Sequence, residues 1–141
     1  MNKDNEEKEV RASKNRVDFE GNVANISAFF TNKNDTTSRR FDLAQNEKDG
    51  SSQFLPVILR GGLVDTYGEE IQKGDWLNIK GRLSTYTHER DVNGTKVNEK
   101  VFEIVAYEIT DKNKNMTYKI DGEVLDNSKE DNSNTSEEQE R

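Results

Sequence analysis

Residues 74–109, GDWLNIKGRLSTYTHERDVNGTKVNEKVFEIVAYEI, constrain the fold more than any other stretch of this chain. They predict two long strands joined through Asn93-Gly94, because a type I′ hairpin turn needs positive φ at both central residues and Asn-Gly supplies them cheaply. The first arm alternates. Leu77, Ile79, Leu83 and Thr85 share one face, while Asn78, Lys80, Arg82, Ser84, Tyr86 and His88 share the other. One face can enter a core. The other interleaves cations with rings, which is the chemistry for gripping a nucleic-acid strand.

A hairpin alone is not a stable fold, so partners must lie upstream. Val17, Phe19, Gly21 and Val23 alternate with polar residues and predict a first strand that bends near Gly21 and runs on to Phe30. Residues 32–38, NKNDTTS, read as a loop. A second strand is expected at Arg39–Gln45 with Phe41 and Leu43 on one face, then a turn at Asp49-Gly50, then a third strand at Phe54–Leu59. Pro56 has no N–H to donate, so the third strand should have an open edge or a bulge there. Leu63, Val64, Tyr67 and Ile71 make one stripe of a short helix over 63–73, with Gly68 as its weak point. The order is strand, strand, strand, helix, strand, strand. It predicts an all-β protein, a five-stranded barrel of the oligonucleotide/oligosaccharide-binding (OB) type with its helix between the third and fourth strands. An SH3-like barrel or a small sandwich is the alternative, and it accounts less economically for the helix.

The ends differ from this body. Residues 1–14 lack periodicity and are expected to form a flexible arm, with the barrel over 15–110 and one appended strand within 111–125, around Met116, Tyr118 and Ile120. Residues 126–141, DNSKEDNSNTSEEQER, are polar and acidic and are expected to be disordered. Of the net charge of -7, most sits in these ends: residues 11–110 hold 14 basic and 15 acidic groups, against five and nine in 111–141. A near-neutral body can still present one basic face, and the acidic tail could compete with DNA for it. There are no cysteines and one histidine, and no cluster has metal-ligand spacing, so neither metal nor cofactor nor catalysis is expected. No apolar run approaches a membrane span, and a cytoplasmic location is expected.

Three segments carry a resemblance. Asn15–Asn22 (NRVDFEGN), Phe54–Leu63 (FLPVILRGGL) and Lys73–Thr85 (KGDWLNIKGRLST) resemble bacterial-type single-stranded DNA-binding proteins, which show N-[KR]-V-x-x-x-G-N, a third strand leading into Gly-x-Leu, and K-G-x-x-V-x-[IV]-x-G-x-L. The closing Phe102–Ile109 is similar to the family's last strand. The resemblance implies sequence-tolerant binding of single-stranded DNA in replication, recombination or repair, by a homo-oligomer, tetramer or dimer, paired through the first strand. It implies base stacking by Phe54 and by His88, with Tyr86 two residues earlier on the same face, and a basic contact from Arg16. Arg60 stands where the family has a second aromatic, and a guanidinium can both stack and pair with phosphate. Lys80 and Arg82, of the same outward parity as Tyr86, and Lys96 and Lys100 on the fifth strand, are further candidate phosphate contacts. Trp76 matches no stacking position and is expected to pack at the helix–barrel junction or an interface. The tail lacks the hydrophobic tip with which relatives recruit replication or recombination proteins; in these departures the chain is similar to versions encoded by phages and mobile elements. The alternatives are a protein-interaction module of a replication complex, or RNA binding by the same face.

Overall fold

A computed structural model describes residues 10–128, so residues 1–9 of the expected arm and 129–141 of the expected tail lie outside it. In chain order the elements are β1 (Val17–Ile26), β2 (Phe30–Thr31), β3 (Thr37–Asn46), β4 (Ser52–Leu59), α1 (Gly62–Tyr67), β5 (Trp76–Val92), β6 (Thr95–Asp111), β7 (Met116–Lys119) and β8 (Val124–Asp126).

β1 pairs with β3 and β5, β3 with β4, and β5 with β6, all antiparallel. A short parallel bridge, Val57 to Ile104 and Ile58 to Val105, joins β4 to β6. That bridge closes the circuit β1-β3-β4-β6-β5 into the five-stranded barrel expected from the sequence. Pro56 lies just before it, where β4 pairs with β3 alone. β6 continues into β7, and β7 into β8, as a small antiparallel extension.

Barrel closure needs backbones closer than side chains normally permit. A Cβ added at Gly21 would lie 2.2 Å from the carbonyl oxygen of Ala44, and one at Gly81 2.2 Å from that of Val105. These glycines let β1 cross β3 and β5 cross β6. The bend of β1 falls later than Gly21, at a register shift between Val23 and Ile26, and the chain re-pairs only as the separate β2. A second bulge leaves Tyr107 unpaired opposite Lys80 and Gly81.

The core is filled from every barrel strand: Val23, Phe41, Leu43, Val57, Leu59, Leu77, Ile79, Ile104, Ala106 and Ile109. α1 plugs one end with Leu63 and Tyr67. The Tyr67 ring lies 4.8 Å from that of Tyr118 on β7, and its hydroxyl donates to Asp75 Oδ2 at 2.8 Å. Burial, with Asp75 beside it, raises the Tyr67 phenol far above its ordinary pKa. The helix is shorter than its apolar stripe suggested. Gly68 favours a helix interior poorly, and its carbonyl is taken by Arg39 Nη1 at 2.6 Å. A turn then carries Ile71 into the core, with the Ile71 N–H donating to Tyr67 O.

Candidate nucleic-acid interface

The core assigns the opposite parity to the outside. On β3, Phe41 and Leu43 point in, so Arg40 and Asp42 point out; on β4, Phe54, Pro56, Ile58 and Arg60 share the outward parity. Register carries this outward face onto the hairpin, as Arg40 pairs with Ile58, Ile58 with Val105, and Val105 with Arg82. Ile58 and Val105 are buried although they point out of the barrel. They form an apolar floor under the longer side chains around them.

At the centre of this face lies Glu103. Its side chain is only 4% exposed, yet it holds two guanidiniums: Arg40 Nε at 3.0 Å and Arg60 Nη2 at 3.7 Å. A buried carboxylate is costly unless paired, so this acid fixes both arginines. The Arg40 guanidinium also lies over two rings, 4.7 Å from the centroid of Phe30 and 5.4 Å from that of Tyr86. Ser27 Oγ accepts from the Arg40 N–H at 3.0 Å, and the Ser27 N–H donates to Arg40 O at 2.8 Å, fastening the segment that delivers Phe30.

The residues singled out in the sequence fall into three places. Phe54, Arg60, Arg82, Tyr86 and His88 share the outward side of β4 and of the β5–β6 hairpin, with Phe54 more than half exposed opposite Ala44. Arg16 and Lys80 lie on the β1 side of Arg82, Lys80 two residues before it on the same side of β5. Lys80 lies between Asp18 of β1 and Glu108 of β6, with Glu108 Oε2 at 3.8 Å, and lines a cavity with Arg16 and Tyr107. Lys96 and Lys100 pair with Asp91 and Thr87, on the other face of the hairpin from Tyr86 and His88, and Lys96 is engaged by Glu89 at 3.8 Å. Trp76 is not at the helix junction. It lies on the outside of β5, where its Nε1–H donates to Glu20 Oε2 at 2.7 Å.

Phe30 and Glu103 were not singled out as site residues; of the adjacent pair Arg39-Arg40, strand parity allows only one on any one surface. The parity of Phe41 and Leu43 was enough to send Arg40 outward and its neighbour Arg39 to the other side. There the Arg39 guanidinium covers Phe29, with its Nε donating to Ser27 O. Nothing local marks Glu103, since its partners lie 63 and 43 positions upstream.

A closed five-stranded barrel with arginines and rings convergent on its outer face defines an OB-fold protein of the nucleic-acid-binding class. Residues 14–111 match the model of the Single-strand binding protein family. The chain belongs to that family, and single-stranded DNA binding in DNA metabolism is its family-level function. Among solved structures it is similar to a Plasmodium falciparum SSB in complex with ssDNA, with TM-score 0.54 and 18% identity over 69% of this chain and 89% of that one. It is also similar to the dimeric N-terminal domain of a PriB protein from Thermoanaerobacter tencongensis, with TM-score 0.50 and 18% identity over 68% and 93%. At that identity the likeness concerns the fold. The search of curated proteins finds no match.

Proposed function

We propose that this protein is a non-catalytic binder that lays single-stranded DNA along the outward face of β3 and β4 and up the β5–β6 hairpin, without reading base sequence. The observation that carries the reading is Arg40, held by Glu103 between the rings of Phe30 and Tyr86. It brings a fixed cation and two stacking platforms to one spot, over an apolar floor. Phe54, Tyr86 and His88 stack bases, each ring contributing about 1–3 kcal/mol per base. Arg40, Arg60 and Arg82 meet phosphates. Arg16 and Lys80 engage a strand that continues around the barrel, and Lys96 and Lys100 one that wraps the other face of the hairpin.

The same reading has the protein act as a homo-oligomer. Val17–Phe19 pair with β5 alone, so one edge of β1 is open to a second copy, and the Thermoanaerobacter neighbour is described as dimeric.

Fluorescence anisotropy with oligo-dT, oligo-rU and duplex at several salt concentrations tests the binding. Tight, salt-sensitive capture of dT in preference to duplex is the expected result. Equal capture of rU makes the face a general single-strand binder. Absence of binding at moderate salt overturns the reading and leaves a protein-interaction module.

A further inference from the structure

Asn15 stands opposite Leu83 in the register that pairs Val17 with Gly81, but its backbone does not join the ladder. Its side-chain amide does so instead: the Leu83 N–H donates to Asn15 Oδ1 at 2.9 Å, and Asn15 Nδ2 donates to Leu83 O at 2.7 Å. This clip shows which backbone groups of β5 face away from β6. Those of Leu83 do, so by alternation those of Thr85, Thr87, Glu89 and Asp91 do as well. Among the described residues, 84–92 pair with β6 alone, and their other edge is open.

The chain's own arm is a poor occupant of that edge. Continuing the register of β1 would set Glu9 against Glu89 and Glu7 against Asp91, two like-charge pairs. The opposite edge of the hairpin is guarded, because β6 carries Lys96 and Lys100 there, and lysine discourages strand addition. Residues 84–92 hold no lysine and no proline. A second copy fits. The midpoint of the free edge is His88, and antiparallel pairing about a two-fold axis at His88 uses its whole length. It sets Thr85 against the partner's Asp91, Thr87 against the partner's Glu89 and Tyr86 against the partner's Arg90. Apart from the two imidazoles on the axis, no acid meets an acid and no cation a cation.

We propose that two copies of this chain join through the free edges of β5, apart from any pairing through β1, so that their hairpins form one four-stranded sheet. A two-fold axis normal to that sheet turns the Tyr86, His88 and Arg90 sides of both copies the same way. The joined groove rests on the single-strand reading: the partner's Arg90 completes the face beside Tyr86, and one DNA strand passes from copy to copy.

The chain has no cysteine, so single cysteines report the register in the full-length protein without DNA. His88→Cys should form a disulfide-linked dimer on mild oxidation, because opposed residues of a non-hydrogen-bonded pair lie about 4.5 Å apart at Cα, within disulfide reach. Thr85→Cys should not, since its two copies lie about 20 Å apart along the strands. Tyr86→Cys and Arg90→Cys should cross-link when mixed and not alone. Adding Thr85→Asp to His88→Cys sets acid against acid and should cut the yield about fivefold, whereas Thr85→Lys should raise it. On oligo-dT of about 35 nucleotides, room for two copies, Thr85→Asp should bind about fivefold more weakly than wild type, and on about 8 nucleotides equally. Cross-linking at Thr85→Cys as readily as at His88→Cys, or at neither, overturns the pairing; the face stands if oligo-dT is bound all the same. Cross-links without any loss on the long oligomer overturn the joined groove. Cross-links in a protein that binds no oligo-dT keep the pairing and sink the single-strand reading.

Discussion

The two ends of the β5–β6 hairpin carry one pattern and put it to two uses. Within the barrel, Leu77 and Ile79 point inward and are fully buried. Past Gly81 the same parity brings Leu83, 42% exposed, opposite Ile104, and then Thr85 opposite Phe102, itself 55% exposed. The alternation is intact; what changes is the cover. Other barrel strands and α1 lie over the first segment, whereas beyond Leu83, where the bridge from β4 to Ile104 and Val105 ends, the two strands pair only with each other for roughly 30 Å. A period-two pattern prepares a face for burial but does not supply the layer that buries it. The barrel end spends its apolar face on stability, and the free end keeps both faces open to a ligand.

Substitutions that shorten the same kind of side chain at the two ends should therefore separate cleanly. Ile79→Ala opens a cavity in a packed core and should cost about 2–5 kcal/mol in urea unfolding. Leu83→Ala, four residues along the same strand, should cost under about 1 kcal/mol, as at exposed sites generally. Equal losses would mean that the free end is covered in solution, and so would break the contrast. The next largest effect reverses the pattern. Tyr86→Ala should leave the urea midpoint nearly unchanged and weaken oligo-dT binding by about 1–3 kcal/mol. A variant that loses stability but not affinity would place Tyr86 in the structure rather than in the groove.

What was legible at either end of the hairpin is what is local. Alternation at Leu77 and Ile79 and the positive φ demanded of Asn93 and Gly94, found at 53° and 84°, can be read without knowing what lies across the fold. The same holds for the Asp49-Gly50 turn, where Asp49 Oδ1 accepts from the Ser51 N–H at 2.9 Å. Parity also sufficed to send Phe54, Arg60, Arg82, Tyr86 and His88 outward. What escaped depends on closure. Which outward residues meet is decided by the parallel bridge at Val57 and Ile58, and by the bulge at Tyr107, neither of which leaves a mark in the local pattern. Thus Lys80 and Arg82 look alike in the sequence, yet one is drawn to Glu108 and β1 while the other joins the row of Val105 and Ile58. The helix was overdrawn for a different reason. Its apolar stripe continues to Ile71, but a hydrogen-bonded turn rather than a helix carries that residue into the core.

Glu103 stands where the two regions join, and it sharpens the comparison. It binds Arg40 from β3 and Arg60 from the end of β4, so it occupies both cations before DNA arrives, as a phosphate would. Glu103→Gln keeps the shape and removes the charge. Both arginines are partly exposed, at 37% and 42% of their side chains, so neither is left stranded in a dry interior. The stability loss should be modest, about 1 kcal/mol after solvent screening. Binding should become more salt-dependent, the slope steepening by about 0.7 as one more phosphate is neutralised. An unchanged slope would mean that Glu103 only braces the barrel.

The smallest expected effect concerns the acidic tail, and the fold decides where to cut it. Removing everything after residue 110 would take away β7 and β8, and with them Tyr118, which packs on Tyr67 in the core. Loss of binding in that variant would report a damaged barrel. Cutting after Ser128 spares the packed extension and removes residues 129–141, which hold five acidic and two basic groups. If the tail competes with DNA for the arginines of the face, this truncation should tighten oligo-dT binding about twofold at low salt. The gain should vanish as the Debye length shrinks from about 30 Å at 0.01 M to about 8 Å at 0.15 M. The same truncation combined with Glu103→Gln should gain more than in the wild-type background, because the tail then competes for a more positive face. Equal affinities with and without residues 129–141 at every salt concentration would show that the face is never in contest, and that its charge is set by Glu103 alone.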